Sequence, residues 1–226
     1  FVHELTNDFD IHFDSAQIAL QPNIRFTAQT MQDTLSSFYD DQEPLYYTGT
    51  QLFLPFVPSE LFCTCTQRFE ALPPLQDRVR RQEERFRAFL RKQKVFATFP
   101  LLSPEKCSRF ETAPYIFLEK NCRVVFFPEQ YLKILQHVLE LYCSSDHLEL
   151  SFLPMDPDIH LWSNSRRLLY SCSGDCFVPY HSNHPTFIQP LYKIQTTFFQ
   201  EYLTRKDRAQ TKQLLQDTIC RFGGQA

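Results

Sequence analysis

Glycine is scarce in this chain, with 4 residues among 226, and this scarcity restricts the loops that the chain can form. Glycine supplies the positive φ angles and the close backbone approach that phosphate-binding loops and nucleophile elbows need. The sequence contains no G-x-S-x-G motif and no glycine-rich phosphate loop. We therefore predict that the chain is not an enzyme, and we expect it to use no cofactor.

The composition is typical of a protein with a well-filled interior. Hydrophobic residues make up 43% of the chain and phenylalanine alone contributes 23 residues, enough for one large or two small cores. The formal net charge of -3 creates no field that would attract a polyanion. No secretory signal and no apolar run of about 18 residues is present, so we expect a cytoplasmic protein without membrane contact. Because the sequence begins with Phe1 rather than Met, we expect a fragment of a longer chain.

Short runs of alternating polarity predict strands. The segment NDFDIHFDS alternates Phe9, Ile11 and Phe13 with polar residues, and this period of two is typical of a half-buried strand. YIFLE and RVVFF, joined by KN, predict a hairpin, HLELSFLP predicts a further strand, and DIHLWS, RRLLYSC and CFVPYHS predict a meander. Together with amphipathic helices, these runs predict an α/β (α+β) fold with a mixed sheet of short strands.

Apolar residues at helical spacing predict the long helices. The segment LQDRVRRQEERFRAFLRKQKVF is predicted to form one long amphipathic helix, because its apolar residues recur on one face. Pro128 is predicted to begin the helix PEQYLKILQHVLELYC, with His137 on the solvated side. Two helices close the chain, QPLYKIQTTFFQEYL with Pro190 in its first turn, and DRAQTKQLLQDTIC. The predicted buried face of QPLYKIQTTFFQEYL comprises Leu191, Ile194, Phe198 and Tyr202.

The proline pair in ALPPLQD marks a predicted boundary between two parts of the chain. Residues 1–74 are predicted to form short helices and strands, and they contain no evident helix-turn-helix. Residues 75–226 are predicted to form an α/β sensor or dimerisation domain.

The segment SCSGDCFVPYHSNHP carries the residue types of a zinc site. Cys172, Cys176, His181 and His184 fall within 13 residues, and cysteine and histidine are the usual zinc ligands. However, structural zinc sites usually place a longer loop between two ligand pairs than the one between Cys176 and His181. The 8 cysteines of the chain lack the secretory context of a disulfide framework. We therefore prefer a plain hairpin with reduced thiols, with a zinc site or a Cys172–Cys176 redox pair as alternatives.

The segment MDPDIH is a second candidate for chemistry. Asp156, Asp158 and His160 have the residue types of a metal-assisted hydrolase. No second motif rich in carboxylates or histidines accompanies them, and Asp before Pro is an ordinary turn former. We therefore interpret this segment as a turn that leads into a strand.

One family resemblance emerges from the order of these elements. RRQEERFRAFLRKQKVFATFP, PEQYLKILQHVLELY, the strand meander and HPTFIQPLYKIQTTFFQEYL follow one another in the chain. This layout, over roughly Leu72 to Ile219, resembles the C-terminal region of bacterial XRE-type helix-turn-helix regulators. The resemblance implies a regulatory domain of a transcription regulator that senses a ligand, mediates dimerisation, or both. It also implies that DNA is bound only through a helix-turn-helix outside this chain.

The expected partners follow from this resemblance. They are a second copy of the chain, giving a homodimer, and a small-molecule or peptide effector. Tyrosine and tryptophan suit an effector pocket because they combine apolar area with one hydrogen-bonding group. The candidate ligand-binding residues are Tyr131, Trp162 and Tyr180. The alternative interpretation is a metal-dependent zinc enzyme, or a zinc-binding interaction module, that uses the Cys/His segment.

Overall fold

A computed structural model describes residues 9–14, 17–22, 35–49, 52–66, 73–119, 122–152, 159–173, 177–203 and 207–223. In this part of the chain a large mixed sheet is accompanied by amphipathic helices. The predicted α/β fold class is therefore confirmed.

Eight described strands form the large sheet. They are β1 (Phe9–Asp14), β2 (Gln17–Pro22), β3 (Leu45–Thr48), β4 (Val95–Thr98), β7 (Leu148–Ser151), β8 (Ile159–Ser163), β9 (Leu168–Ser173) and β10 (Phe177–Ser182). Their order across the sheet is β2-β1-β10-β9-β8-β3-β4-β7. Strands β3, β4 and β7 are parallel, whereas β8, β9 and β10 form the predicted antiparallel meander. The predicted hairpin of β5 (Tyr115–Glu119) and β6 (Cys122–Val125) forms a separate two-stranded sheet.

The large sheet joins residues from both sides of the predicted boundary at residue 74. Strand β3 lies between β4 and β8, with Tyr46 opposite Phe96 on one side and Ser163 on the other. A strand in the middle of a sheet takes its hydrogen bonds from both neighbours. Residues 45–48 are therefore an integral part of the same sheet as the strands of the C-terminal part.

The helices are α1 (Ser59–Thr66), α2 (Pro73–Leu90), α3 (Pro104–Cys107), α4 (Pro128–Ser144), α5 (Pro185–Leu203) and α6 (Arg208–Gly223). A helical stretch at residues 35–40 precedes them, and Leu54–Phe56 form a single 3₁₀ turn. None of the described helices is both long enough and apolar enough to cross a membrane.

The long helix predicted up to Phe96 is shorter than expected. Helix α2 ends at Leu90, and Val95 begins strand β4. Val95 and Ala97 are completely buried, and β4 is paired on both sides, by β3 and β7. The helical spacing of the apolar residues was misleading here because a β-branched residue followed by an aromatic one also fits a central strand.

Helix α4 begins at Pro128 as predicted, but the prediction of a solvated His137 is wrong. The His137 side chain is only 7% exposed. Its Nδ1 lies 3.5 Å from the Arg87 guanidinium, and its Nε2 lies 4.0 Å from Glu83 Oε1. Helix α4 is buried around more of its circumference than one stripe, and burial lowers the pKa of His137.

Helix α5 begins one turn earlier than predicted. Pro185 occupies its first turn, so Pro190 lies in the helix interior rather than in the first turn. His184 precedes the helix and accepts a hydrogen bond at Nδ1 from the backbone N–H of Thr186 at 3.3 Å. Pro190 has no N–H to donate within the helix, and it lies on the exposed side.

The main core is aromatic and lies on one side of the sheet. Tyr47 stacks on Phe53 with ring centroids 4.9 Å apart, and Phe53 meets Phe86 of α2 edge to face at 5.7 Å. Phe99 stacks on Tyr131 of α4 at 6.3 Å. These rings connect the sheet to α2 and α4 through one continuous apolar cluster.

Candidate interaction surface on helix α5

Helix α5 lies against strands β3, β7, β8 and β9. Its buried face consists of Ile188, Gln195 and Phe199, each at most 2% exposed. Phe199 contacts the rings of Tyr46 and Phe96, with centroids 5.9 and 5.8 Å away. The spacing of seven and then four residues places these three side chains on one helix face.

The central residue of this buried face is polar. Gln195 donates from Nε2 to Thr48 Oγ1 at 2.8 Å and to the Leu161 carbonyl at 3.0 Å. Its Oε1 accepts a hydrogen bond from Ser163 Oγ. Because Thr48 and Ser163 are themselves buried, this network sets the rotation of α5 about its own axis.

This rotation leaves apolar side chains of α5 towards solvent. Ile194 is 63% exposed and Phe187 is 50% exposed, while Leu191 and Phe198 are half-buried. We call Phe187, Leu191, Ile194 and Phe198 the α5 stripe. The predicted buried face is therefore wrong at Ile194, because the helix buries the adjacent position, Gln195, in its place.

The α5 stripe carries almost no charge. Between Pro185 and Leu203 the side chains that carry a charge at neutral pH are Lys193 and Glu201. The Phe187 ring lies edge to face with the His184 ring, with centroids 6.1 Å apart, and half of the Phe187 surface is in contact with solvent. An exposed apolar strip of this kind is suited to binding a second apolar surface.

Of the predicted ligand-binding residues, Tyr131 lies within the core. Its side chain is 0% exposed, and its hydroxyl donates to the Pro100 carbonyl and accepts from the Leu102 N–H at 3.4 Å. A described cavity lined by Leu35, Leu54, Val57, Val79 and Glu83, among others, has a volume of about 10 Å³, which holds about one water. Tyr131 does not line this cavity.

Trp162, the second predicted ligand-binding residue, lies on the core side of the sheet. It is 2% exposed and packs on Tyr47 with ring centroids 5.0 Å apart. The adjacent His160 is completely buried, with Nδ1 3.5 Å from the Tyr47 hydroxyl. Burial lowers the pKa of His160 to about 3, so its imidazole is neutral near pH 7. Gly49 packs directly against His160 and Tyr47.

Tyr180, the third predicted ligand-binding residue, has its backbone in β10, opposite Tyr170 of β9. The positions of its side-chain atoms lie outside what the structure describes. A ligand role for Tyr131, Trp162 and Tyr180 stays a prediction.

The Cys/His segment is only partly described. Cys172 lies opposite Val178, and His181 lies opposite Leu169, so the two positions are three residues apart along the hairpin, or roughly 10 Å. Cys176 lies outside the described residues. His184 is half-buried and caps α5 through Nδ1. The alternative of a zinc site therefore stays open.

The MDPDIH segment is also only partly described. Asp156 and Asp158 lie outside the described residues, whereas His160 is enclosed in the core. Among the described side chains, no three His, Cys, Asp or Glu residues come together in a group that could hold a metal ion.

Comparison with family models, curated proteins and solved structures finds no match for this chain.

Sequence reasoning missed the α5 stripe because it assigned three of its four residues, Leu191, Ile194 and Phe198, to the buried face. The signal was nevertheless present. Phe187, Leu191, Ile194 and Phe198 follow one another at intervals of four, three and four residues, which is the spacing of a helix–helix contact. A second apolar set, formed by Ile188 and Phe199, lies on an adjacent arc and is the one that the sheet buries.

Proposed function

We propose that this chain is a non-catalytic regulatory module that assembles as a homodimer through helix α5. The observation that carries the proposal is the contrast between two neighbours. Ile194 is 63% exposed, and Gln195 is 2% exposed. The buried hydrogen bonds of Gln195 fix this rotation of the helix, and in a monomer it leaves Ile194 in water, where exposed apolar area is unfavourable. A partner surface that covers the α5 stripe removes this cost.

The resemblance to XRE-type regulators supplies the biological role in this proposal. Dimerisation of a C-terminal domain brings two helix-turn-helix domains to the two half-sites of an operator. Under this proposal DNA is bound only by a helix-turn-helix outside the chain, and an effector acts by changing the dimer. The mild net negative charge of the chain is compatible with a part that does not itself contact DNA.

The oligomeric state tests this proposal. Sedimentation velocity or light scattering, measured from about 1 to 100 µM, should give a dimer for the native chain. Ile194→Glu should weaken dimerisation at least about tenfold, because burying an unpaired carboxylate costs more than about 1.4 kcal/mol.

Gln189→Glu is the matched control. Gln189 is exposed on the same helix but on a different arc from the α5 stripe, so the same added charge should leave the dimer intact. Circular dichroism would establish that both variants are folded. A folded native chain that stays monomeric at 100 µM would refute the proposal.

A further inference from the structure

The α5 stripe has the spacing of a paired helix over two heptads. Its intervals of four, three and four residues place Phe187 and Ile194 at one seam position and Leu191 and Phe198 at the other. Polar residues flank the seam at both ends, with His184 immediately before the helix and Glu201 within it. His184 precedes Phe187 by three residues, and Glu201 follows Phe198 by three residues.

The seam has the same intervals when it is read in either direction, so two copies of it can face each other in an antiparallel pair. Consider a second copy of the helix that runs antiparallel to the first, with the two-fold axis between Tyr192 and Lys193. The numbers of two facing residues then add up to 385. Phe187 then meets Phe198 of the partner subunit, and Leu191 meets Ile194 of the partner subunit. Such an arrangement has two-fold symmetry, so each contact occurs twice, as in most homodimers.

The polar ends of the seam favour the antiparallel direction. The antiparallel arrangement places His184 opposite Glu201 of the partner subunit, which joins a base and an acid. A parallel arrangement in register places Glu201 opposite Glu201 of the partner subunit, and two like charges at facing positions repel. Both side chains are at least partly exposed.

We infer that two copies of this chain pair through antiparallel α5 helices, with Phe187 packed against Phe198 of the partner subunit. The inference rests on the proposed dimer and specifies its geometry. The occupant of the α5 stripe is thus a second copy of the same stripe.

Cysteine cross-linking tests the geometry. In a background with Cys143→Ser and Cys220→Ser, which removes the two exposed thiols of the described residues, Phe187→Cys and Phe198→Cys are made as separate variants. Each is oxidised alone and after subunit exchange in an equal mixture. The mixture should form a cross-linked dimer severalfold faster than either variant alone, because only the mixed dimer places the two thiols opposite each other.

The outcomes separate the geometry from the proposed function. If Phe187→Cys alone cross-links as fast as the mixture while sedimentation still gives a dimer, the antiparallel inference is wrong and the dimer stands. If the dimer forms but no combination cross-links, α5 is not the interface and the inference is also overturned. If the cysteine-substituted background is itself monomeric at 100 µM, the proposed function fails.

A charge exchange provides a second measurement that does not alter the apolar stripe. Glu201→Lys should weaken the dimer about two- to thirtyfold, the range expected for the two exposed ion pairs that two-fold symmetry creates. Adding His184→Asp should restore the affinity, and Asp also serves as a helix N-cap. A double variant that is no tighter than Glu201→Lys alone would contradict the antiparallel register.

Discussion

Gln195 and Thr48 are joined by a hydrogen bond of 2.8 Å between Nε2 and Oγ1, which connects helix α5 to the inner strand β3. Both side chains are buried. A rotation of the helix that placed Ile194 inside would break this bond and leave Thr48 and Ser163 without the Gln195 amide. The same contact that stabilises the fold therefore determines which side chains of α5 face outwards.

Replacing Gln195 tests this role. Gln195→Leu should lower the free energy of unfolding by about 2 kcal/mol or more, because Thr48, Ser163 and the Leu161 carbonyl lose a buried partner. Urea denaturation measures the change. Gln189→Leu, at an exposed position of the same helix, should change it by less than about 0.5 kcal/mol. Equal effects of the two substitutions would show that the buried network does not stabilise α5.

Gly49 is expected to be intolerant of a side chain. A Cβ at this position would lie 2.6 Å from the Tyr47 hydroxyl oxygen and would also collide with His160 Nδ1. Gly49→Ala should destabilise the protein by about 1–3 kcal/mol, as overpacking of a core usually does. Gly223→Ala is the control, since a Cβ there has no neighbour within 4 Å, and its effect should be neutral or slightly stabilising. A thermal melt compares the two, and equal melting temperatures would contradict the prediction.

Acid is expected to destabilise the fold through His160. Its pKa is lowered to about 3 in the folded protein by burial, whereas an unfolded histidine titrates near about 6.5. Between these values the unfolded state binds a proton that the folded state excludes, so stability falls as the pH falls, by up to about 1.4 kcal/mol per pH unit. His137, whose pKa is also lowered by burial, acts in the same direction.

The measurement is urea unfolding at pH 7 and pH 5 for the native chain and for His160→Gln. The variant should lose part of the pH dependence, because glutamine does not titrate in this range. An unchanged difference between the two pH values would mean that His160 does not contribute to acid sensitivity.

Metal content decides between the hairpin and zinc interpretations of the Cys/His segment. We expect protein purified without chelator to contain much less than one zinc ion per chain. Inductively coupled plasma mass spectrometry measures the zinc content. Cys172→Ser should then leave the metal content unchanged. Stoichiometric zinc that is lost in this variant would instead establish the zinc-binding alternative, because removing one of four ligands greatly weakens a structural site.

Much of the fold was predictable from local pattern. The alternation of Phe9, Ile11 and Phe13 and the helix start at Pro128 depend on periodicity and on the backbone restriction of proline. Both are properties of a short segment. The hairpin of β5 and β6 and the meander of β8, β9 and β10 were confirmed for the same reason.

The errors arose where two patterns fit one segment. Val95 and Phe96 continue the apolar spacing of α2 and also suit a strand, and the pairing of β4 with β3 and β7 decides for the strand. His137 resembled a solvated residue on a helical wheel, but contacts with α2 bury it.

The sequence by itself determined many of the elements of this protein, such as the meander and the helix that begins at Pro128, and the presence of two adjacent apolar arcs on helix α5. Only the tertiary structure decided which arc is buried. The reason is that the choice depends on Thr48 and Ser163, which are 147 and 32 residues from Gln195 along the chain and meet it only when β3 and β8 are paired. Local sequence pattern contains no information about the contact of Gln195 with Thr48 and Ser163. This contact leaves Ile194 exposed to solvent.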